Sequence, residues 1–275
     1  MNKNRPDFET SMLPHNRLEL YFDVIHQQWR KLLGIGLLIL LFALPLLLLS
    51  FGQELSIASL RNMVEAGKME ETALLNALLR VQLEWGLLYL IALPLLFLGI
   101  SGMATQYRSL LWEEPLFFWH DFRKGIKGGG FSMMGQGLLL AIFLYAASAG
   151  FYALDDIFRY VPLGLLFFFI FPASLQFVIQ SPLYQDRFGG TLKNAILLAI
   201  KEAPLSWLFS LLFLSPCFLL LVPNPFLRFG LVAVILVFGF PFIGLAFFDV
   251  GFWWLDKDIN KKHYPELVDK GLHRN

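Results

Sequence analysis

The chain has 275 residues, of which 57% are apolar, 16% aromatic and 16% charged, with a formal net charge of +1. Soluble domains carry about 25% charged residues, so the composition excludes an ordinary soluble domain, and the near-neutral balance gives no indication of a nucleic-acid partner. The one cysteine, Cys217, lies in an apolar run, which leaves no intramolecular disulfide, metal knuckle or redox pair and reads as a small packed residue.

Residues 1–31 form a polar or amphipathic segment expected in the cytosol. The apolar run after it is too long for a signal-peptide core, so the first span is expected to stay in place. From Asn16 to Lys31, Leu18, Tyr21, Phe22, Ile25, Trp29 and Leu32 follow helical spacing. This is either an interfacial helix leading into the first span or an ordinary packed amphipathic helix. Six spans are predicted at Leu32–Ser50, Gly86–Gln106, Ser132–Leu154, Val161–Tyr184, Leu205–Val222 and Leu231–Leu255, each near the ~20 residues a membrane helix needs. The fold class is therefore all-α, a polytopic membrane helix bundle.

The insert from Phe51 to Trp85 is helix-prone and reads as running directly into the second span. It either docks a partner or caps its own bundle. Residues 115–130 and 191–203 are predicted as short amphipathic helices between spans, with Gly128, Gly129 and Gly130 ending the first. Interleaved lysines and aromatic residues suit these segments to an anionic lipid surface or to a cytosolic subunit. Seventeen of the 22 basic residues fall on the side that carries both termini, and only Arg61, Lys68, Arg80, Arg159 and Arg228 fall on the other. The asymmetry places both termini in the cytosol, with residues 256–275 as a cytosolic tail.

The motifs of catalysis are missing from the sequence. No glycine is followed at phosphate-loop spacing by Lys and Ser/Thr, no GXSXG elbow occurs, and the five histidines are too scattered to suggest a ligand set. No metal, cofactor or enzymatic activity is expected. The polar residues inside the spans carry more information. Asp249 is an ionisable residue well inside a predicted span, and with Gln136, Gln176 and Gln180 it is expected to form an intramembrane polar cluster at one end of the bundle. That cluster is either part of a solute path or a set of helix-to-helix bonds. Pro45, Pro94, Pro172, Pro216 and Pro241 each lie 12 to 14 residues from the same end of a span, about 18–21 Å along the helix. They are expected to kink five helices at one depth and open a vestibule beneath the insert, unless neighbouring helices absorb each kink. Pro94, Pro172 and Pro241 are each followed after 12 or 13 residues by Tyr107, Tyr184 and Trp253-Trp254, which suggests a weak threefold repeat of helical hairpins or chance.

The stretch from Leu93 to Lys127 carries a resemblance. Pro94, the small residues Gly99, Ser101, Gly102, Ala104 and Thr105, then Tyr107-Arg108, Glu113-Glu114, and the run Phe118, Phe122, Arg123, Lys124 and Lys127 resemble the YesL-like family of bacterial membrane proteins. The segment Tyr184 to Ala203, with Phe188, Leu192, Lys193, Asn194 and Ala195, is similar to that family's later cytosolic segment, whereas the Phe51–Trp85 insert departs from it. The resemblance implies a bacterial plasma-membrane protein, no known chemistry, and association with carbohydrate uptake systems, with ABC permease or ATPase subunits as partners. A transporter or channel in its own right, with a path near Asp249, is the second expectation.

Overall fold

The computed structural model describes residues 14–154, 156–184, 187–222 and 224–273. Residues 1–13, with Lys3 and Arg5 of the N-terminal segment, lie outside the described residues, as do Arg274 and Asn275 at the end of the tail. Among the described residues every regular element is helical, and five stretches are long and apolar enough to cross a membrane, with a sixth formed by one bent pair. The chain is a multi-pass membrane protein built as an all-α bundle.

Helix α1 (Arg17–Glu65) opens on Asn16, whose side chain accepts the Glu19 N–H at 2.9 Å and donates to the Glu19 carboxylate at 2.7 Å, a reciprocal cap for the orphan groups of the first turn. Its interruption is at Gln28 (φ −120°, ψ 17°), which sets the residues before it apart from the membrane part. Leu20 and Val24 of that first piece are buried against the bundle, as a packed amphipathic helix requires, while Leu18 and Phe22 of the same piece are exposed. The helix then continues for about 73 Å in all, through the predicted first span and into the insert.

The insert is the far end of a helical hairpin. Helix α1 runs to Glu65, Gly67 turns the chain at φ +67°, and α2 (Glu71–Leu111) returns directly into the second span. Gln53 bonds Gln82 at 2.6 Å and Tyr89 bonds both Gln53 and Ser50 across the pair. None of the described side chains between 51 and 85 is buried, so the insert stands as a two-helix arm, met near its base by Phe226, Phe229 and Arg228 at Phe51 and Glu54. Leu55, Met63 and Leu75 are exposed on that arm.

Helix α3 (Phe118–Ala153) corrects two expectations. The segment 115–130 is not a separate helix, and Gly128, Gly129 and Gly130 do not end one, because the chain continues without a break into the third span. Close approach is made by two other glycines of this helix, Gly125 and Gly137. A Cβ at Gly125 would meet Thr105 Oγ1 at 2.5 Å and the Ser101 carbonyl at 2.6 Å, and one at Gly137 would meet the Leu93 carbonyl at 2.9 Å. Small residues let membrane helices pack backbone to backbone, and Ser101 Oγ donates to the Gly125 carbonyl at 2.9 Å within this seam.

The fourth crossing contains α4 (Val161–Leu165), a five-residue π-turn (Leu166–Ile170) and α5 (Phe171–Gln180). Every residue from Pro172 to Gln180 except Leu175 is buried, so α5 is the central helix. Helix α6 (Phe188–Lys201) meets the expected 191–203 element closely, then the chain bends by 102° into α7 (Ala203–Phe213). The predicted fifth span is not one α-helix: α7 stops before Pro216, which cannot bond back to the preceding turn, and Ser215–Leu221 continues as a 3₁₀ helix. Eleven α residues and seven 3₁₀ residues still cover about 31 Å, enough for a bilayer core. Cys217 on this segment is exposed rather than packed.

The last crossing is continuous from Pro225 to His263 through α8 (Pro225–Val234), α9 (Phe240–Leu255) and α10 (Lys261–His263), joined by π-turns at Ile235–Gly239 and Asp256–Asn260. Both ends of the described chain meet: the His273 N–H donates to the Pro14 carbonyl at 3.0 Å. Five crossings would place those ends on opposite sides, so the stretch after the bend, α7 with the 3₁₀ helix, counts as the sixth. Its own ends agree, since Glu202 pairs with Lys257 near the chain termini while the Val222 carbonyl accepts from Arg228, which pairs with Glu54 on the hairpin arm.

The five prolines do not act alike. Pro45 and Pro94 sit inside continuous helices, and the non-helical residue of α1 is Gln28, not Pro45. Pro172 and Pro241 each lie two residues after a π-turn, where wider bonding makes room for a ring that would strike the carbonyl four residues back. Pro216 follows a helix end. The five prolines thus occupy three different settings, inside a helix, after a π-turn and after a helix end.

Candidate functional site

Polar chemistry concentrates at the end of the bundle where the termini meet. Asp249 on α9 is 5% exposed, and Asp256, seven residues later, lies two turns away on the same face. Arg17, from the first turn of α1, reaches between them: Nη2 is 2.9 Å from Asp256 Oδ2 and Nη1 is 3.6 Å from Asp249 Oδ1. Asp256 also accepts from Asn260 Nδ2 at 2.7 Å and from the Asp269 N–H at 3.2 Å, and Asn260 accepts the Tyr184 hydroxyl at 2.6 Å. One cation thus serves two buried carboxylates, and the firmer bond goes to Asp256. A surface cleft of about 340 Å³, lined by Asn16, Arg17, Val250 and Trp253, opens beside the arginine.

The glutamines lie elsewhere in the interior. Gln136 on α3 donates to Ser174 Oγ of α5 at 2.8 Å, and Ser174 in turn donates to the Ile170 carbonyl. Gln176 of α5 donates to Ser206 Oγ of α7 at 2.9 Å, and Gln180 donates to the Gln176 carbonyl at 3.1 Å. Among the described residues no hydrogen bond or ion pair joins Asp249 to any of the three. The expected single cluster is therefore two groups: Arg17 draws Asp249 toward α1, while Gln136 and Gln176 tie the central helix to α3 and α7 and Gln180 bonds within α5. Gln106 adds a similar bond, to the Phe118 carbonyl at 2.8 Å. The amide oxygens of Gln106, Gln136, Gln176 and Gln180 are buried with no hydrogen-bond partner among the described residues.

A third feature closes this end. After α10 the chain turns back over the end of α2, where Lys270 Nζ lies 3.9 Å from the centroid of the Trp112 ring and Arg108 lies 5.0 Å from it. Both cations are 3.6 Å from Glu114, and His273 Nε2 is 2.8 Å from Glu113. Gly271, at φ +89°, presses on the Leu111 carbonyl where no Cβ would fit. Cation–ring contacts contribute about 0.5–2 kcal/mol, and 1.4 kcal/mol is tenfold in a population. Trp112→Ala should therefore open the tail and speed tryptic cleavage at Lys261, Lys262 and Lys270 roughly tenfold. Unchanged cleavage would show that the tail is held by its other contacts.

Arg17, Asp256, Ser174, Ser206, Trp112 and Lys270 were not expected at these positions. The serines are polar residues inside apolar spans and could have been counted with the glutamines. No spacing connects Arg17 to Asp249 or Lys270 to Trp112, because those contacts join distant parts of the chain. Among the described residues no group of three or more His, Cys, Asp or Glu is placed to hold a metal ion. No family model matches the sequence, and no curated protein or solved structure is significantly similar to it.

Proposed function

We propose that the protein is a non-enzymatic accessory or regulatory subunit of a solute transport system in a bacterial plasma membrane, with both termini in the cytosol. The observation that carries this reading is the α1–α2 arm. It is braced by Gln53–Gln82, by Tyr89 and by the Glu54–Arg228 pair, and it presents Leu55, Met63 and Leu75 beyond the bundle. A stiff, unburied helical pair suits docking against another membrane component. The resemblance to the YesL-like family supports the same reading and points to carbohydrate uptake, with ABC permease or ATPase chains as the partners.

Purification in mild detergent should then recover permease or ATPase chains in stoichiometric amount, and Leu55→Glu with Leu75→Glu should abolish the recovery. A lone oligomer, unaffected by those changes, would favour the second reading, a transporter in its own right. That reading is favoured by Asp249 Oδ1, a buried carboxylate oxygen with no hydrogen-bond partner among the described residues, since such residues mark ion and solute paths.

The orientation rests on the basic-residue asymmetry. In a Cys217→Ser background, a cysteine at Gly67 should react with an impermeant maleimide in intact cells, and one at Lys124 only after permeabilisation. The opposite pattern would invert the topology.

A further inference from the structure

The basic residues at the start of α3 are left unused by the packing of the bundle. In this segment the aromatic residues turn inward: Phe118 lies against Gly34 and Phe122 against Gly102. Arg123, Lys124 and Lys127 turn outward, are exposed, and take part in no ion pair among the described residues. Asp121, the acid nearest in sequence, is committed elsewhere, accepting the Phe117 N–H at 2.8 Å and facing His120. Spacings of three and four residues put the cations on adjoining positions of one face. Gly128 adjoins Lys124 and Lys127 on that face, and a Cβ there would meet nothing within 4 Å. One turn further on, Phe131 is 93% exposed.

Depth decides what this face meets. Because α3 is unbroken, distance along it is distance along one helix axis. The 23 residues from Phe131 to Ala153 cover about 34 Å, matching a hydrocarbon core of about 30 Å. Phe131 then lies at the edge of the acyl region. Lys127, four residues before it, is about 6 Å further out, and Arg123 about 12 Å, which places the cations at the depth of lipid phosphates and just above them. Three unpaired cations, a side-chain-free notch and an aromatic ring at the acyl boundary complement an anionic headgroup attached to an acyl chain.

We propose that Arg123, Lys124, Lys127, Gly128 and Phe131 form a site for the headgroup of an anionic phospholipid. The phosphate sits over Gly128 among the three cations, and Phe131 packs against the upper acyl chain. This assignment is independent of the accessory role, because it requires only that α3 cross a bilayer.

The test is lipid retention in native mass spectrometry, using full-length protein from nanodiscs that contain equal amounts of phosphatidylglycerol and phosphatidylcholine. Each cation near an anionic surface is worth roughly a fivefold preference, so the wild type should favour phosphatidylglycerol on the order of a hundredfold. Arg123→Gln/Lys124→Gln/Lys127→Gln should remove that preference, while Lys124→Arg/Lys127→Arg should keep it. The control triple Lys193→Gln/Lys261→Gln/Lys262→Gln, at cations that are also unpaired, should keep it as well. Inorganic phosphate should not displace the lipid, since it lacks the chain that Phe131 holds. Equal loss in both triples would overturn the proposal in favour of a diffuse surface field. A wild type with no preference, displacement by phosphate alone, or a protein found on this face in place of lipid would also overturn it.

Discussion

Replacing Arg17 with alanine should destabilise the protein by about 3–5 kcal/mol, because it strands two buried carboxylates on α9 with no cation between them. The Arg17 side chain is 16% exposed, and those of Asp249 and Asp256 are 6% and 7%, so solvent does little to compensate. Asp249→Asn alone should cost much less, since its contact with the guanidinium is the longer one and the amide keeps its hydrogen-bonding capacity. Combining it with Arg17→Ala should recover part of the loss by removing one stranded charge. Thermal unfolding in detergent, followed by tryptophan fluorescence, would measure all three variants. Arg80→Ala, which breaks an exposed pair with Glu84 worth about 0.3–0.5 kcal/mol, sets the baseline. An Arg17→Ala effect no larger than that baseline would mean that the buried network contributes nothing to stability.

Two glycines three positions apart should respond in opposite directions to the same substitution. Gly128→Ala adds a methyl in open space and replaces the poorest helix former short of proline with the best, which should stabilise α3 by about 1 kcal/mol. Gly125→Ala drives a methyl into Thr105 Oγ1 and the Ser101 carbonyl. Backbone does not yield as a flexible side chain does, so the loss should be about 1–3 kcal/mol. Both can be read from unfolding curves of otherwise identical proteins. Equal, small effects at the two sites would show that α2 and α3 pack more loosely than the backbone contacts indicate.

The all-α class and a count of about six crossings could be read from the sequence because apolar runs of bilayer length leave few alternatives. The continuity of the insert with the second span was also readable, from the run of leucines after Thr72. What could not be read follows from particular residues. Gly128-Gly129-Gly130 resembles a helix stop, and nothing in the sequence shows that α2 offers Ser101, Gly102 and Thr105 as a surface to which glycines can fit. Pro172 and Pro216 look alike in an apolar run, yet one follows a π-turn and the other a helix end, according to what the surrounding helices accept. Asp249 was recognisable as a buried charge. Its partner was not, because Arg17 lies 232 positions earlier in an unremarkable amphipathic stretch.

The two π-turns of the last crossing have a rotational consequence. A π-turn takes in one residue more than an α-turn, so everything beyond it is rotated by about 100° relative to an uninterrupted helix. The stretch from Pro225 to His263 therefore presents three differently aimed faces along one axis. Arg228 points at Glu54 of the arm, Gly244 receives the Tyr107 ring of α2, and Asn260 meets the Tyr184 hydroxyl. A single rod can in this way mate with different neighbours at different heights without a loop in the hydrocarbon. Its phase becomes a heritable quantity in its own right. Loss of one residue between Ile235 and Gly239 would only close the π-turn to an α-turn and leave Asp249 facing Arg17, whereas loss of one residue within α8 would swing Asp249 about 100° away.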